Sequence, residues 1–212
     1  MSKSARVMPL LMFLLSLQGC SFGPAEQSAP HTYLLNPNIA VKRLPANPAR
    51  TAPPTLLVSA PRAQAGFDTP RMAYLLRPHE VSYYAVNHWV DTPSRMLLRL
   101  LAESMESTGL WRAVVQAPST IRTEYRLDCD NLVLEQQFFW TPSRVRLALR
   151  AQMIDMNRQD VMSAHDFEVF EDAPSDDAYG GVVAANRAVA KLLGELAAWT
   201  GASIDESTRA KR

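Results

Sequence analysis

From Ser143 to Met153 the chain switches polarity at every second residue. Val145, Leu147, Leu149, Ala151 and Met153 share one face, and Arg144, Arg146, Arg150 and Gln152 share the other. A period of two sustained over this length specifies a strand in a sheet that is buried on one side and wet on the other. Neighbouring segments extend the signal. Glu124 to Leu134 alternates with Tyr125, Leu127 and Cys129 inward, then slips near Asn131, after which Leu132 and Leu134 carry the apolar face. One extra residue in the strand, a bulge, accounts for the slip. Val161 to Phe170 is a weaker strand with Phe167 and Val169 on one side. Three such strands in succession predict an antiparallel meander.

Upstream, Thr55 to Ala60 is a compact apolar run bounded by prolines, which marks a well-buried strand. Met72–Leu76 and Val81–Val86 flank Arg77-Pro78-His79-Glu80 and read as a hairpin. A helix follows, with Asp91 or Thr92 as its cap, Pro93 in its first turn and Gly109 at its close. Its stripe is Leu97, Leu100, Leu101, Ser104 and Thr108. Leu110 to Val115 reads as a loop leading into a short strand. A second helix begins after Pro174-Ser175-Asp176-Asp177, with the serine as cap and the aspartates favouring its positive end. Tyr179, Val182, Val183, Asn186, Val189, Ala190, Leu193 and Leu196 keep helical spacing, while Gly180-Gly181 weakens the first turn by about 1 kcal/mol per glycine. The expected fold is α/β (α+β-like): a mixed, largely antiparallel sheet with two amphipathic helices packed on one face.

The amino terminus fixes the compartment. A basic tip, Ser2-Lys3-Ser4-Ala5-Arg6, precedes an apolar run from Val7 to Leu17. This is the layout of a secretory signal peptide, and roughly eleven apolar residues fall short of the ~20 that a membrane-spanning helix needs. The run closes on Leu17-Gln18-Gly19-Cys20, which resembles a bacterial lipobox, although Gln18 departs from the small or apolar residue preferred there. In that pattern the cysteine is acylated and becomes the first residue of the mature chain. An ordinary signal peptide with an incidental cysteine is the alternative.

The expected organisation is therefore a signal peptide at 1–19, an acylated proline-rich tether at 20–54, one domain at 55–200 and a polar tail at 201–212. Seven prolines between Ser21 and Pro54 block helices and central strands, so the tether should be extended and poorly packed apart from a short strand near 32–35. From Cys20 to His31 the chain reaches at most roughly 40 Å. Two or three acyl chains, at ~0.8 kcal/mol per buried methylene, would make the anchor effectively permanent.

Charge and cysteine usage narrow the function. The chain has 22 basic and 21 acidic residues, and removal of Lys3 and Arg6 with the signal leaves 20 against 21. A near-neutral chain argues against nucleic acid as a partner. Cys129 has no partner within the chain if Cys20 is acylated, and it reads as a buried small apolar side chain, with an intermolecular disulfide the other possibility.

A further set of residues carries a family resemblance. It comprises Gly66-Phe67-Asp68-Thr69-Pro70-Arg71-Met72-Ala73-Tyr74, Tyr83-Tyr84-Ala85, Trp89, Pro93, Leu97-Leu98 and Ser107-Thr108-Gly109-Leu110-Trp111. Tyr125-Arg126-Leu127 and Leu196-Ala197-Ala198-Trp199 complete it. From about Tyr33 to Trp199 the chain resembles the ABC-type transport auxiliary lipoproteins, the group containing the paraquat-inducible protein C type. The resemblance implies an outer-membrane lipoprotein facing the periplasm, with MCE-domain proteins and an ABC permease and ATPase as partners in lipid transport. It also implies a fold similar to the amino-terminal domain of the Tol-system propeller protein. Ser21, after the cysteine, matches lipoproteins sent to the outer membrane.

The leading expectation is a non-catalytic docking component, with no cofactor and no metal. Tyr74, Tyr83, Tyr84 and Trp89 are candidate partner contacts, because aromatics carry much of interface energy. Core packing is the competing reading for Tyr74 and Tyr83, and Trp89 stands between the two. The arginine face of Arg144, Arg146 and Arg150 would suit an acidic partner or lipid headgroups, against the plainer reading of a solvated strand. A ring-shaped partner would make a homo-oligomer reasonable. A small hydrolase is disfavoured: there is no Gly-x-Ser-x-Gly elbow, and His31, His79, His88 and His165 are scattered outside any metal-binding spacing. Asp128 and Asp130 read as a polar strand face. An envelope lipoprotein that activates a cell-wall synthase is the alternative of another class.

Overall fold

The computed structural model describes residues 29–45 and 52–210. The signal segment and Cys20 lie outside them. In chain order the elements are β1 (His31–Tyr33), β2 (Thr55–Val58), β3 (Arg71–Leu75), β4 (Val81–Trp89), α1 (Pro93–Ser107), β5 (Ala113–Gln116), β6 (Tyr125–Gln137), β7 (Arg144–Asp155), β8 (Asp160–Asp172) and α2 (Ala178–Ala210).

The strands form one mixed sheet built around β6. On one edge β6 pairs antiparallel with β7, and β7 pairs antiparallel with β8, which is the meander the alternation predicts. The other edge is shared. The first part of β6, Tyr125–Leu127, runs parallel to β2, and its last part, Glu135–Gln137, runs parallel to β3. β5 lies outside β2, and β4 and then β1 lie outside β3. The β6–β7 and β7–β8 ladders are the long ones; the parallel ones span three or four residues each.

The slip near Asn131 is a bulge. Opposite β7 the register shifts between Asp130 and Val133, and Asn131 takes a left-handed φ of 55°. Asparagine tolerates that conformation better than most residues. The β2–β3 connection fills the fork: Arg62 N–H donates to the Cys129 carbonyl at 3.0 Å, and Leu132 N–H donates to the Arg62 carbonyl at 3.1 Å. Between the two branches the backbone groups of β6 thus keep partners.

Both helices cover one face, packing on Leu127, Cys129, Leu134, Val145, Leu147, Leu149 and Met153 in a single core. In α1 the Thr92 hydroxyl caps the Arg95 N–H, and the whole predicted stripe is buried. Ser104, in the middle of that stripe, donates its hydroxyl to the Leu193 carbonyl of α2 at 3.3 Å. α2 is capped by Asp177, not by Ser175. The Asp177 carboxylate accepts the Gly180 N–H at 2.6 Å, and the Ser175 hydroxyl donates to that same carboxylate at 3.0 Å. Asp176 instead accepts the Ser143 N–H at 2.7 Å, which holds its carboxyl below the usual range.

α2 runs well past Trp199, to Ala210, and buries Thr200, Ser203 and Ile204. The segment expected as a polar tail thus begins as packed helix. The proline-rich stretch is also more engaged than its composition suggests. β1 is the expected short strand, and Leu35 beyond it is 2% exposed. Asn36 N–H donates to the Asn186 side chain on α2 at 2.6 Å, and Leu44 N–H donates to the Thr108 carbonyl at 2.9 Å. Ile39 and Val41 pack on the core between these points. Residues 36–44 therefore form a strap along α2 from Asn186 toward Gly201, where the Leu44 side chain lies. The helix rises about 22 Å over that distance, which an extended segment of eight steps, about 26 Å, can follow.

The two glycines that open α2 have steric reasons. A Cβ on Gly180 would lie 2.0 Å from the Ser175 carbonyl oxygen, and one on Gly181 would lie 2.2 Å from Gln136 Oε1. Gly194, by contrast, has nothing within 4 Å of the added carbon. Gly180→Ala should lower stability by about 1–3 kcal/mol through overpacking against backbone. Gly194→Ala should raise it by up to about 1 kcal/mol, because alanine is the better helix former. Urea midpoints of the two variants check the contrast.

Candidate functional site

The aromatic candidates separate once placed on the sheet. β4 continues as a strand through Trp89, and the Trp89 N–H donates to the Pro70 carbonyl at 2.7 Å. The indole then turns into the core and is 5% exposed. Trp89 is therefore a core residue and offers no contact surface, which corrects the partly exposed reading. Tyr84 is half-buried; its hydroxyl donates to Gln136 Oε1 at 3.0 Å. Burial, then the nearby charge of Asp177 and the Tyr74 ring hydroxyl, raise its pKa well above the ordinary value. Tyr74 packs on Tyr84 at 4.8 Å and edge-on to Phe138 at 5.9 Å. Tyr83 lies near the sheet margin, where its hydroxyl donates to the Gly66 carbonyl at 2.8 Å and Arg71 stacks on its ring at 4.0 Å.

Gln136 organises the start of α2. Its amide nitrogen donates to the Ser143 hydroxyl at 3.0 Å and to the Asp177 carbonyl at 3.1 Å, while its oxygen receives Tyr84. One inward side chain of β6 thus joins β4, β7 and the cap of α2. Buried networks of this kind are stable only when each member is satisfied.

The arginine face is already occupied. Arg146 lies between Glu135 on β6, at 3.6 Å, and Glu168 on β8, at 2.6 Å. Arg150 pairs with Asp166 at 3.0 Å. Arg144 is held by stacking, 4.2 Å from the Trp140 ring and 4.4 Å from Phe170. Asp128 pairs with Arg126 at 2.9 Å and Asp130 with Arg62 at 3.6 Å. These are cross-strand and neighbouring pairs on a partly wet surface, so the face is charged but locally neutralised.

Cys129 is 2% exposed, and burial, with the flanking Asp128 and Asp130 charges, pushes its thiol up to about 12. It stays protonated and inert at neutral pH. Among the described residues no group of three or more His, Cys, Asp or Glu side chains could hold a metal ion, and no helix is long and apolar enough to cross a membrane.

One group escaped the sequence reading. The turn after β6 carries Phe138-Phe139-Trp140, and Trp140 is 51% exposed. It neighbours the β3–β4 turn, because the Phe138 N–H donates to the Leu75 carbonyl at 2.8 Å. The signal was visible as three consecutive aromatics just before Thr141-Pro142. A turn normally carries polar residues, so such a run there is informative.

Comparison with known proteins adds the family. A family model described as ABC-type transport auxiliary lipoprotein component matches residues 33–197. The crystal structure of protein XCC0632 from Xanthomonas campestris, of family DUF330, is 24% identical with a TM-score of 0.72. The match covers 84% of this chain and 98% of that one. A crystal structure of an uncharacterized protein is 12% identical with a TM-score of 0.61, covering 81% and 99%. At these identities the likeness establishes the fold alone. No curated protein matches the chain.

Two outcomes are expected. Trp89→Ala should cost about 3–5 kcal/mol, as loss of a large core side chain does, read as a drop in denaturation midpoint. A maleimide should leave Cys129 unmodified in the folded protein and label it only in denaturant, read by mass shift.

Proposed function

The chain belongs to the family of ABC-type transport auxiliary lipoprotein components, and on that premise we propose that it is a non-catalytic lipoprotein of the outer membrane. In this reading it faces the periplasm and docks the far end of an MCE-type, ABC-driven lipid transport system. The observation that carries the reading is the family match over residues 33–197, which takes in the central sheet, α1 and most of α2. Leu17-Gly19-Cys20 supports acylation at Cys20, and Ser21 supports the outer membrane as destination.

The side chains favour binding over chemistry. The one thiol of the body is buried and protonated, and the paired aspartates beside it are held by Arg126 and Arg62. The residues between Cys20 and His31 give the body a radius of up to roughly 40 Å from its anchor. Tyr74, Tyr83 and Tyr84, all near the β3–β4 hairpin, remain the aromatic candidates for partner contact, and a ring-shaped partner would suit a homo-oligomer.

Replacing Cys20 by alanine should shift the protein from the membrane to the soluble periplasmic fraction. Unchanged detergent-dependent fractionation contradicts the anchor. Crosslinking in intact envelopes, followed by capture and mass spectrometry, should recover an MCE-domain protein with its permease and ATPase. Recovery of a cell-wall synthase in their place would overturn the transport reading while leaving the anchor intact.

A further inference from the structure

At one end of the sheet, where β3 and β6 finish and β4 and β7 begin, apolar side chains stand in solvent. Leu76 is 59% exposed, Val81 41%, Trp140 51%, and Phe139 and Phe170 37% each. They lie on or beside adjacent turns at that end. Val81 is the β4 partner of Leu75, the Phe138 N–H ties the β6–β7 turn to Leu75, and Phe139 packs on Trp140 at 6.2 Å. Arg144 is clasped between Trp140 and Phe170. Arg77, paired with Glu80, stands in solvent at the β3–β4 turn.

The direction of β1 gives this tip a partner. β1 runs parallel to β4, with His31 opposite Asn87 and Tyr33 opposite Trp89. The amino end of β1 therefore points toward the Val81 end of β4, which is the end that carries the exposed group. Asn87 lies about 20 Å from Val81 along the strand. The eleven steps from Cys20 to His31 span up to roughly 40 Å. With β1 pointing toward that end, an anchor at Cys20 has the length to bring the tip against the bilayer that holds it.

We infer that this tip is a second, non-covalent membrane contact: Trp140, Phe139, Leu76 and Val81 enter the headgroup region of the anchoring leaflet. The composition suits that depth. Tryptophan prefers the interface between water and hydrocarbon, aliphatic neighbours reach below it, and arginines meet phosphate oxygens. The patch is too small to hold a protein on a membrane alone. Tethering makes its insertion intramolecular, so a weak contact becomes populated without added affinity. Its effect is to fix which way the body faces.

The inference rests on the lipid anchor proposed above, and its test supplies that anchor chemically. The mature chain, beginning at Cys20, is coupled through the Cys20 thiol to a maleimide phospholipid in vesicles of phosphatidylethanolamine and phosphatidylglycerol; buried Cys129 does not compete. Substituting lipids brominated in the acyl chain should quench part of the tryptophan emission. That loss should vanish in Trp140→Phe and shrink in Leu76→Ser, which keeps Trp140. An unquenched wild-type protein, or quenching that survives in Trp140→Phe, overturns the inference. So does a solution dimer that Trp140→Phe dissociates, which would assign the tip to a second copy. Because coupling does not depend on cellular acylation, these outcomes are separate from the fractionation of Cys20→Ala.

Discussion

β6 has hydrogen-bonding edges on both sides, and the rest of the sheet depends on how they are shared. One edge takes β7 along nearly its whole length. The other takes β2 first and β3 last, with the chain between them filling the gap. A regular strand of this length would twist steadily and keep one inward set. The bulge at Asp130–Val133 inserts one residue, changes the inward parity and lets each half present its own face to the helices. Leu127 and Cys129 lie before Asn131 and Leu132 and Leu134 after it, and all four are buried. The fork is what brings the β3–β4 hairpin beside the β6–β7 turn.

The second constraint is polar. Apolar packing between α2 and the sheet has no preferred register along the helix axis. Gln136, Ser143, Tyr84 and Asp177 provide one, because their hydrogen bonds close only when the first turn of α2 sits over the end of β6. Gly181 lets the helix approach Gln136 that closely, and Gly180 leaves room for the preceding turn at Ser175. The strap then runs along the helix from Asn186, and Ser104 ties α1 to it at Leu193. The long helix is thus positioned at its start by side-chain chemistry and along its length by packing.

Local pattern and non-local pairing divide what was legible in the sequence. The meander, the bulge near Asn131, the Thr92-Pro93 start of α1 and its buried stripe were all readable, since period and caps are local properties. The parallel pairing of β2 and β3 with β6 was not, because no residue in those short runs records its neighbour. Nor does local pattern decide between core and contact for Trp89. β4 continues to Trp89, and the register shift against β3 between Arg71 and Ala73 brings the indole to the same inward face as Tyr84, five residues earlier, which no simple alternation records. The arginine face was legible as a face, yet its neutralisation depends on Glu135, Asp166 and Glu168, which only strand register brings opposite. Ser175 and Asp177 are both good caps, and geometry alone chose between them. The aromatic turn, Phe138-Phe139-Trp140, interrupts a period rather than continuing one, so periodicity does not mark it.

β1 has a mechanical meaning. It lies along the margin of the sheet, and a load directed along its axis would strain its hydrogen bonds to β4 together in shear rather than open them one by one. Behind it, Leu35 is sunk in the core and Leu44 is fastened to the end of α1. A tug transmitted through the tether would therefore be spread over the sheet and both helices before any single contact had to yield, which is how a mooring line is best made fast.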